Sequence, residues 1–310
     1  MSYPWFKEEI IVHDQEVDLS MFGLEGPQLV VRREDRIHPF VSGNKLRKLK
    51  YNLKMAMELK HSTLLTYGGA YSNHIAAVAS VGAYIGVKTI GVIRGEELGS
   101  KIDANPTLRF ARDCGMRFHF VSRDQYKEKD NAYNRDQLEL LYGPFYEIPE
   151  GGTNTLAVEG CKEILSKADS SFTDICVSVG TGGTISGLIN ASKNHQRILG
   201  FSALKGAFQN KEIEKYAIAT NYQLTDDYCF GGYAKIDEEL VRFINTFKER
   251  TGIPLDPIYT GKMMYGIFDL IKNRKIKENS RILAIHTGGL QGIAGMNQLL
   301  KRRNLPEIHL

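Results

Sequence analysis

From about residue 60 onward the chain alternates short apolar runs with helical patterns. Thr63–Tyr67 (TLLTY) reads as a buried strand, followed by a glycine pair and by SNHIAAVASVGAYIG as a helix. VKTIGVI is then a strand, PTLRFARDCG a helix, MRFHFV a strand, and the polar stretch from Arg123 to Leu141 one helix. FYEIP ends at Glu150-Gly151-Gly152, Thr155–Ala168 resumes helix, and DICVSVG runs into Gly182-Gly183 and a further helix. RILGFSA and the late RILAIH add two more strands. Strands alternating with helices this regularly imply βαβ units and a parallel sheet. The runs lack a two-residue alternation, which fits sheets covered on both faces. The expected class is α/β.

Composition narrows the setting. A chain of 310 residues suggests about two domains, and an apolar fraction of 42% rules out wholesale disorder. Lys and Arg number 40 against 36 Asp and Glu, a net charge of +4 with no long basic block, so a nucleic-acid partner is not expected. No apolar stretch approaches the roughly 20 residues that cross a bilayer, and the start MSYPWFKEEIIVHDQ lacks the succession of a signal peptide. Cys114, Cys161, Cys176 and Cys229 are scattered without a C-x-x-C pair, against both a zinc site and a disulfide framework. A soluble, reducing, cytoplasmic setting is expected, with no metal.

Three glycine-rich turns carry the chemistry. Ser178–Leu188 (SVGTGGTISGL) follows a strand and opens a helix. Its glycines admit close approach of an anion, its helix start offers free amides, and Thr181 and Thr184 add hydroxyls. No Lys follows the glycines as in a P-loop, and the final spaced glycine of a dinucleotide fingerprint is missing. A phosphate cradle is the reading preferred over a plain βα turn. Tyr67–His74 (YGGAYSNH) and His286–Gly289 (HTGG) are placed alike, and ligands of open α/β sheets collect at the carboxyl ends of strands. The segment from Ser42 to Leu49 is the most unusual basic cluster. It reads either as a charged helix start or as the site of a lysine that forms an imine with a carbonyl cofactor.

The ordered set SGNKLRKLKYNL, YGGAYSNH, PEGGTNTLAVEG, VGTGGT, DPIYTGK and HTGG strongly resembles the 1-aminocyclopropane-1-carboxylate deaminase / D-cysteine desulfhydrase family. The resemblance runs from about Val31 to Gly289. It implies a fold-type II enzyme dependent on pyridoxal 5′-phosphate, with two unequal α/β domains, the cofactor in the cleft between them, and a homodimer. The expected domains are 1–48 with 156–310, and 49–155. By motif, Lys45 corresponds to the Schiff-base lysine, with Lys48 as the neighbour that does not carry it. Asn73 corresponds to the partner of the pyridoxal 3′-oxygen, and Thr181, Gly182, Gly183 and Thr184 to the phosphate loop. Asn44, Ser72, Asn73, His74, Tyr259 and Thr260 are expected around the substrate, Ser72 and His74 at its carboxylate, and Lys45, Ser72, Tyr233 and Tyr259 in the chemistry.

Two positions separate the subfamilies. After the tyrosine of DPIY and after the late histidine stand Thr260 and Thr287, the desulfhydrase-like combination, where the deaminase pattern has Glu and Leu. Thr287 is expected to hydrogen-bond the pyridine nitrogen without charging it. The reading is therefore α,β-elimination from a small amino acid, D-cysteine foremost, giving pyruvate, ammonia and sulfide. The alternatives are the cyclopropane-opening deaminase and a protein that binds pyridoxal phosphate or another anion without turnover. Leu204–Gly232 matches neither subfamily pattern.

Overall fold

A computed structural model describes residues 10–38, 41, 43–206 and 208–310; Ser42 of the basic cluster and the first nine residues lie outside them. Among the described residues the strands are β1 (Asp14–Val17), β2 (Gln28–Arg32), β3 (Thr63–Gly68), β4 (Lys88–Arg94), β5 (Arg117–Val121), β6 (Tyr146–Ile148), β7 (Asp174–Val179), β8 (Arg197–Ser202), β9 (Tyr222–Thr225) and β10 (Arg281–Ile285). They form two sheets. One has six strands in the order β1-β2-β10-β7-β8-β9, and the other four in the order β5-β4-β3-β6. All pairings are parallel except β1 with β2. The chain is α/β, as its alternation implies.

Both sheets are covered on both faces, and consecutive residues go to opposite cores. In β10, Ile282 and Ala284 join one cluster while Leu283 and Ile285 join another. In the smaller sheet Leu64 and Leu65 divide in the same way. That is why these strands read as continuous apolar runs. The edge strands β1 (DQEV) and β9 (YQLT) carry few such residues, and their sequence shows no strand signal.

Two expected helices are shorter than their periodicity suggests. The helix beginning at Thr155 stops at Lys162, because Ser166 caps a new 3₁₀ turn by a capping box with Asp169. Arg32 then grips the Asp169 carboxylate at 2.7 and 2.8 Å. The polar stretch after Arg123 is two helices, Arg123–Lys127 and Ala132–Tyr142, the second started by the Asn131 side chain.

The expected border between residues 48 and 49 falls inside one continuous helix, Asn44–Glu58. Leu46, Leu49 and Leu53 all pack into the smaller lobe's core beside Ile75 and Val78. We propose that the smaller lobe begins at the start of that helix. Its other side lies on the helix Thr155–Lys162 so closely that a Cβ at Gly160 would come within 2.0 Å of the Arg47 carbonyl oxygen.

Candidate active site

The carboxyl ends of β3, β7 and β10 lead into the three glycine turns, and the helix Asn44–Glu58 starts among them. Gly43 makes this approach possible. It sits at φ +65°, and a Cβ there would come within 1.9 Å of the Thr287 carbonyl oxygen. That oxygen accepts the Asn44 N–H at 3.3 Å, and the Asn44 side chain donates to the Thr184 hydroxyl at 2.8 Å. The first turn of one helix is thereby tied to both the β7 and the β10 turns.

Lys45 and Lys48, three residues apart, project from the same helix face and donate to one acceptor, the Gly151 carbonyl, at 3.1 and 2.9 Å. Lys48 also reaches the hydroxyls of Thr153 at 3.0 Å and Thr181 at 3.3 Å. Among the described residues neither ammonium has an ion-pair partner. Burial pulls the Lys45 amine well below the usual lysine range, and the charge of Lys48 lowers it further. Burial likewise brings Lys48 down to about 8. Buried charges are ordinarily paired; two lysines here meet only neutral oxygens. The pocket suits an anion.

The β7 turn supplies the cradle for it. Gly182 adopts φ +86° at the cap of the helix Gly183–Ala191, and a Cβ on Gly183 would stand 2.9 Å from the Thr153 hydroxyl and 3.3 Å from Lys48 Nζ. The Thr153 and Thr181 hydroxyls lie 2.6 Å apart. Thr184 is buried behind them. A helix N-terminus, two hydroxyls and an ammonium around a space only glycine leaves open fit a phosphate monoester. Lys45 beside it fits the aldehyde of the same group.

Across the smaller lobe, Ser72 caps the helix Asn73–Ile85 by accepting from the Ile75 N–H at 3.3 Å. Asn73 stands at the helix start, where backbone N–H groups have no intrahelical acceptor. The His74 ring is buried. Thr66 donates its hydroxyl proton to the Ile148 carbonyl, so the His74 Nε2–H donates to Thr66 at 2.8 Å. Burial and the charges of Lys45 and Lys48 hold the imidazole well below its usual range, hence neutral. What His74 can offer an anion is its backbone N–H.

The Tyr259 ring lies against Gly180, where a Cβ would be 3.2 Å away, and its centroid is 6.2 Å from that of Tyr233. Burial raises the Tyr259 phenol well above the usual tyrosine value, and the proximity of Tyr233 raises it further; Tyr233 shifts in the same direction although the residue is 43% exposed. Thr287, at the end of β10, shares a 3.1 Å hydrogen bond with Ser178 at the end of β7. Its turn is held by His286, which donates to the Pro254 carbonyl at 2.6 Å and accepts the Gly288 N–H at 3.3 Å.

Thr260 is placed differently from the other expected site residues. It is fully buried, its hydroxyl donates to Asp256 Oδ1 at 2.8 Å, and that hydroxyl accepts the Asp256 N–H at 2.9 Å. Its side chain builds the turn beneath Tyr259, and its hydroxyl is committed there. Asp256 also takes the N–H groups of Ile258, Tyr259 and Thr260, so it fixes Tyr259 in place. Sequence reading passed over Asp256 and set Lys48 aside. The three-residue spacing from Lys45 was the available signal for Lys48, and the D-x-x-x-T spacing for Asp256.

Residues 19–288 match the model of the pyridoxal-phosphate-dependent enzyme family. The chain belongs to that family. It is 31% identical over 303 residues to the mitochondrial bifunctional D-cysteine desulfhydrase/1-aminocyclopropane-1-carboxylate deaminase of Arabidopsis thaliana, covering 86% of this chain and 74% of the relative. It is 31% identical to a putative 1-aminocyclopropane-1-carboxylate deaminase of Thermotoga maritima, covering 89% and 93%. A crystal structure of a deaminase homologue superposes with a TM-score of 0.82 over 94% of this chain and 95% of that one, at 27% identity. The protein is a pyridoxal-phosphate-dependent enzyme related to these deaminases and desulfhydrases, and its cofactor is the anionic aldehyde that the two lysines and the cradle suit. No helix among the described residues is long and apolar enough to cross a membrane.

Proposed function

We propose that the enzyme catalyses α,β-elimination from a small amino acid with a leaving group on its β-carbon, D-cysteine foremost: D-cysteine and water give pyruvate, ammonia and hydrogen sulfide. One observation carries the reading. The pocket opposes a lysine whose amine is driven toward its neutral form, Lys45, to two phenols held protonated, Tyr233 and Tyr259. Titratable groups whose environments push their pKa values apart are the expected acid and base of one reaction.

Pyridoxal phosphate, when bound, supplies the electron sink that stabilises the substrate carbanion. The residues do the rest. Lys45 would hold the aldehyde carbon, and its Nζ, when free of it, takes the substrate's α-proton. Lys48, with Thr181, Gly182, Gly183 and Thr184, neutralises the phosphate. Asn73 donates to the ring's 3′-oxygen. The first-turn N–H groups of Asn73 and His74, with the Ser72 hydroxyl, receive the substrate carboxylate. Tyr259, backed by Tyr233, donates a hydrogen bond to the departing sulfur, as a phenol held in its protonated form can. Thr287 meets the pyridine nitrogen with a neutral hydroxyl, which supports elimination over transamination.

Opening of the cyclopropane amino acid is the second reading: the Thermotoga maritima relative is named for it, and the Arabidopsis thaliana relative for both activities. One assay separates the two: separate incubation with D-cysteine, L-cysteine and 1-aminocyclopropane-1-carboxylate, with sulfide, pyruvate and 2-oxobutyrate measured. Sulfide with pyruvate from D-cysteine alone is expected. 2-Oxobutyrate as the main product would reverse the order.

A further inference from the structure

Tyr233 belongs to a segment that local forces would not hold. Phe230, Gly231, Gly232 and Ala234 have φ of +52°, +85°, +119° and +55°. Phe230 and Ala234 are side-chain-bearing residues in the left-handed region, where such residues persist only if their surroundings over-determine them. Two short turns carry the segment, Gly232 N–H to the Cys229 carbonyl at 3.0 Å and Lys235 N–H to the Gly232 carbonyl at 3.1 Å. Both of those carbonyls accept a second hydrogen bond from one distant donor. Lys262 Nζ reaches Cys229 O at 2.7 Å and Gly232 O at 2.8 Å.

Lys262 is 2% exposed. It stands in the first turn of the helix Thr260–Lys272, the helix that Tyr259 caps. The same turn therefore sets Tyr259 by the Asp256 knot and reaches Tyr233 through this ammonium. Resting on the reading of the two phenols as the hydrogen-bond-donating wall, we propose that Lys262 is a positioning residue whose buried ammonium clamps the 229–234 segment and so fixes Tyr233 against Tyr259. It touches neither substrate nor cofactor; it acts through Tyr233.

The test uses the holoenzyme of Lys262→Met, Tyr233→Phe and the double variant. Methionine matches the lysine stem, and replacing a buried charge by an apolar isostere is often tolerated. Amide hydrogen exchange of residues 230–235 is expected to rise about tenfold or more in Lys262→Met while the helix Thr260–Lys272 stays protected. The kcat for elimination should fall about tenfold to a hundredfold, with KM and cofactor absorbance unchanged. In the Tyr233→Phe background the same change should cost less than about twofold, because the interaction it serves is already gone. Lys262→Gln, which keeps a donor, should restore part of the rate, and it carries the exchange test if the methionine variant does not fold. Unchanged exchange in the segment, or effects of the two substitutions that simply multiply, would overturn the clamp. If the parent enzyme eliminates nothing from D-cysteine, the functional reading fails, while the exchange result still decides the clamp.

Discussion

The phosphate cradle and the tyrosine wall meet at Gly180, yet they are built by opposite means. The cradle is made of turns that follow directly from strand ends, with glycines where a Cβ would collide and hydroxyls one or two residues away. Each part is local, and the tertiary structure only brings the parts together. The wall is held by charged side chains: Tyr259 by the Asp256 carboxylate three residues earlier, which takes three backbone N–H groups, and Tyr233 from afar, through segment 229–234 and its ammonium tether. On the proposed reading, one region holds the cofactor's phosphate, which is the same whatever the substrate, and the other faces the part of the substrate that differs. Rigid glycine turns suit the first task. Side-chain ties, each replaceable by a single substitution, suit the second.

The comparison breaks most sharply at Lys45. Lys45→Ala should lower turnover by about 10² to 10⁴-fold while phosphate affinity persists, because Lys48 and the Thr181–Thr184 turn remain. Activity assays together with fluorescence titration of pyridoxal phosphate into the variant check both halves. In the parent protein, borohydride reduction followed by peptide mapping should place the label on Lys45. A label on Lys48 would exchange the two lysines' roles.

Gly43→Ala comes next. Its Cβ would strike the Thr287 carbonyl, a backbone atom that cannot step aside, and φ of +65° is unfavourable for alanine. A loss of about 3 kcal/mol or more of stability is expected, read as the urea midpoint. A midpoint within error of the parent would mean that the helix start and the β10 turn are not locked together.

How much of this was legible follows from the same contrast. The α/β class and the three glycine turns could be read because strand, turn and helix succeed one another within a few residues, whereas Lys45 was singled out by the resemblance of its GNK motif alone. Lys48 looked like a bystander because its role depends on burial, which spacing does not display. Thr260 was expected near the substrate because the resemblance marks its position as one that separates the subfamilies, and spacing alone did not show that Asp256 takes its hydroxyl. The ties of Lys262 span 30 and 33 residues, and no local pattern marks them. The edge strands β1 and β9 were hidden because half-exposed edges need no apolar run.

The pH dependence of stability sharpens the account of Lys48. Its folded pKa, about 8, lies below the unfolded value near 10.5. The unfolded chain therefore binds more protons between these values, and stability gained from neutralising this group appears as pH rises from about 8 to 10.5. Below about 8 the burial cost is present in full, up to roughly 3 kcal/mol. In cofactor-free protein, Lys48→Met should remove this slope, so the parent gains on the variant as pH rises through that window. Parallel urea midpoints from pH 7 to 10.5 would show that the ammonium is not penalised. With cofactor bound the phosphate offsets the cost, and the variant should instead lose affinity.

The smallest effect is expected at Thr287, whose hydroxyl ties the β10 turn to the end of β7. Thr287→Val keeps the volume and the β-branch but removes the hydrogen bond to Ser178 at 3.1 Å and the donor proposed to meet the ring nitrogen. One such bond is worth about 0.5–1.5 kcal/mol, hence roughly a threefold to tenfold loss of kcat for elimination if it is felt fully in the transition state. Ser178→Ala separates the two contributions. If Thr287 acts mainly on the nitrogen, freeing it from Ser178 leaves the rate within about twofold; if it acts by bracing the ends of β7 and β10, both variants lose stability and rate together. The companion change Thr260→Glu, which imitates the deaminase pattern, is not a clean probe of substrate choice. It would bring a second carboxylate against buried Asp256, and like charges in that position raise one carboxyl pKa or disrupt the turn. Loss of activity in that variant would report on Tyr259's support, whereas Thr287→Val reports on the nitrogen itself, so a Thr287→Val enzyme with unchanged D-cysteine turnover would remove this hydroxyl from the reaction.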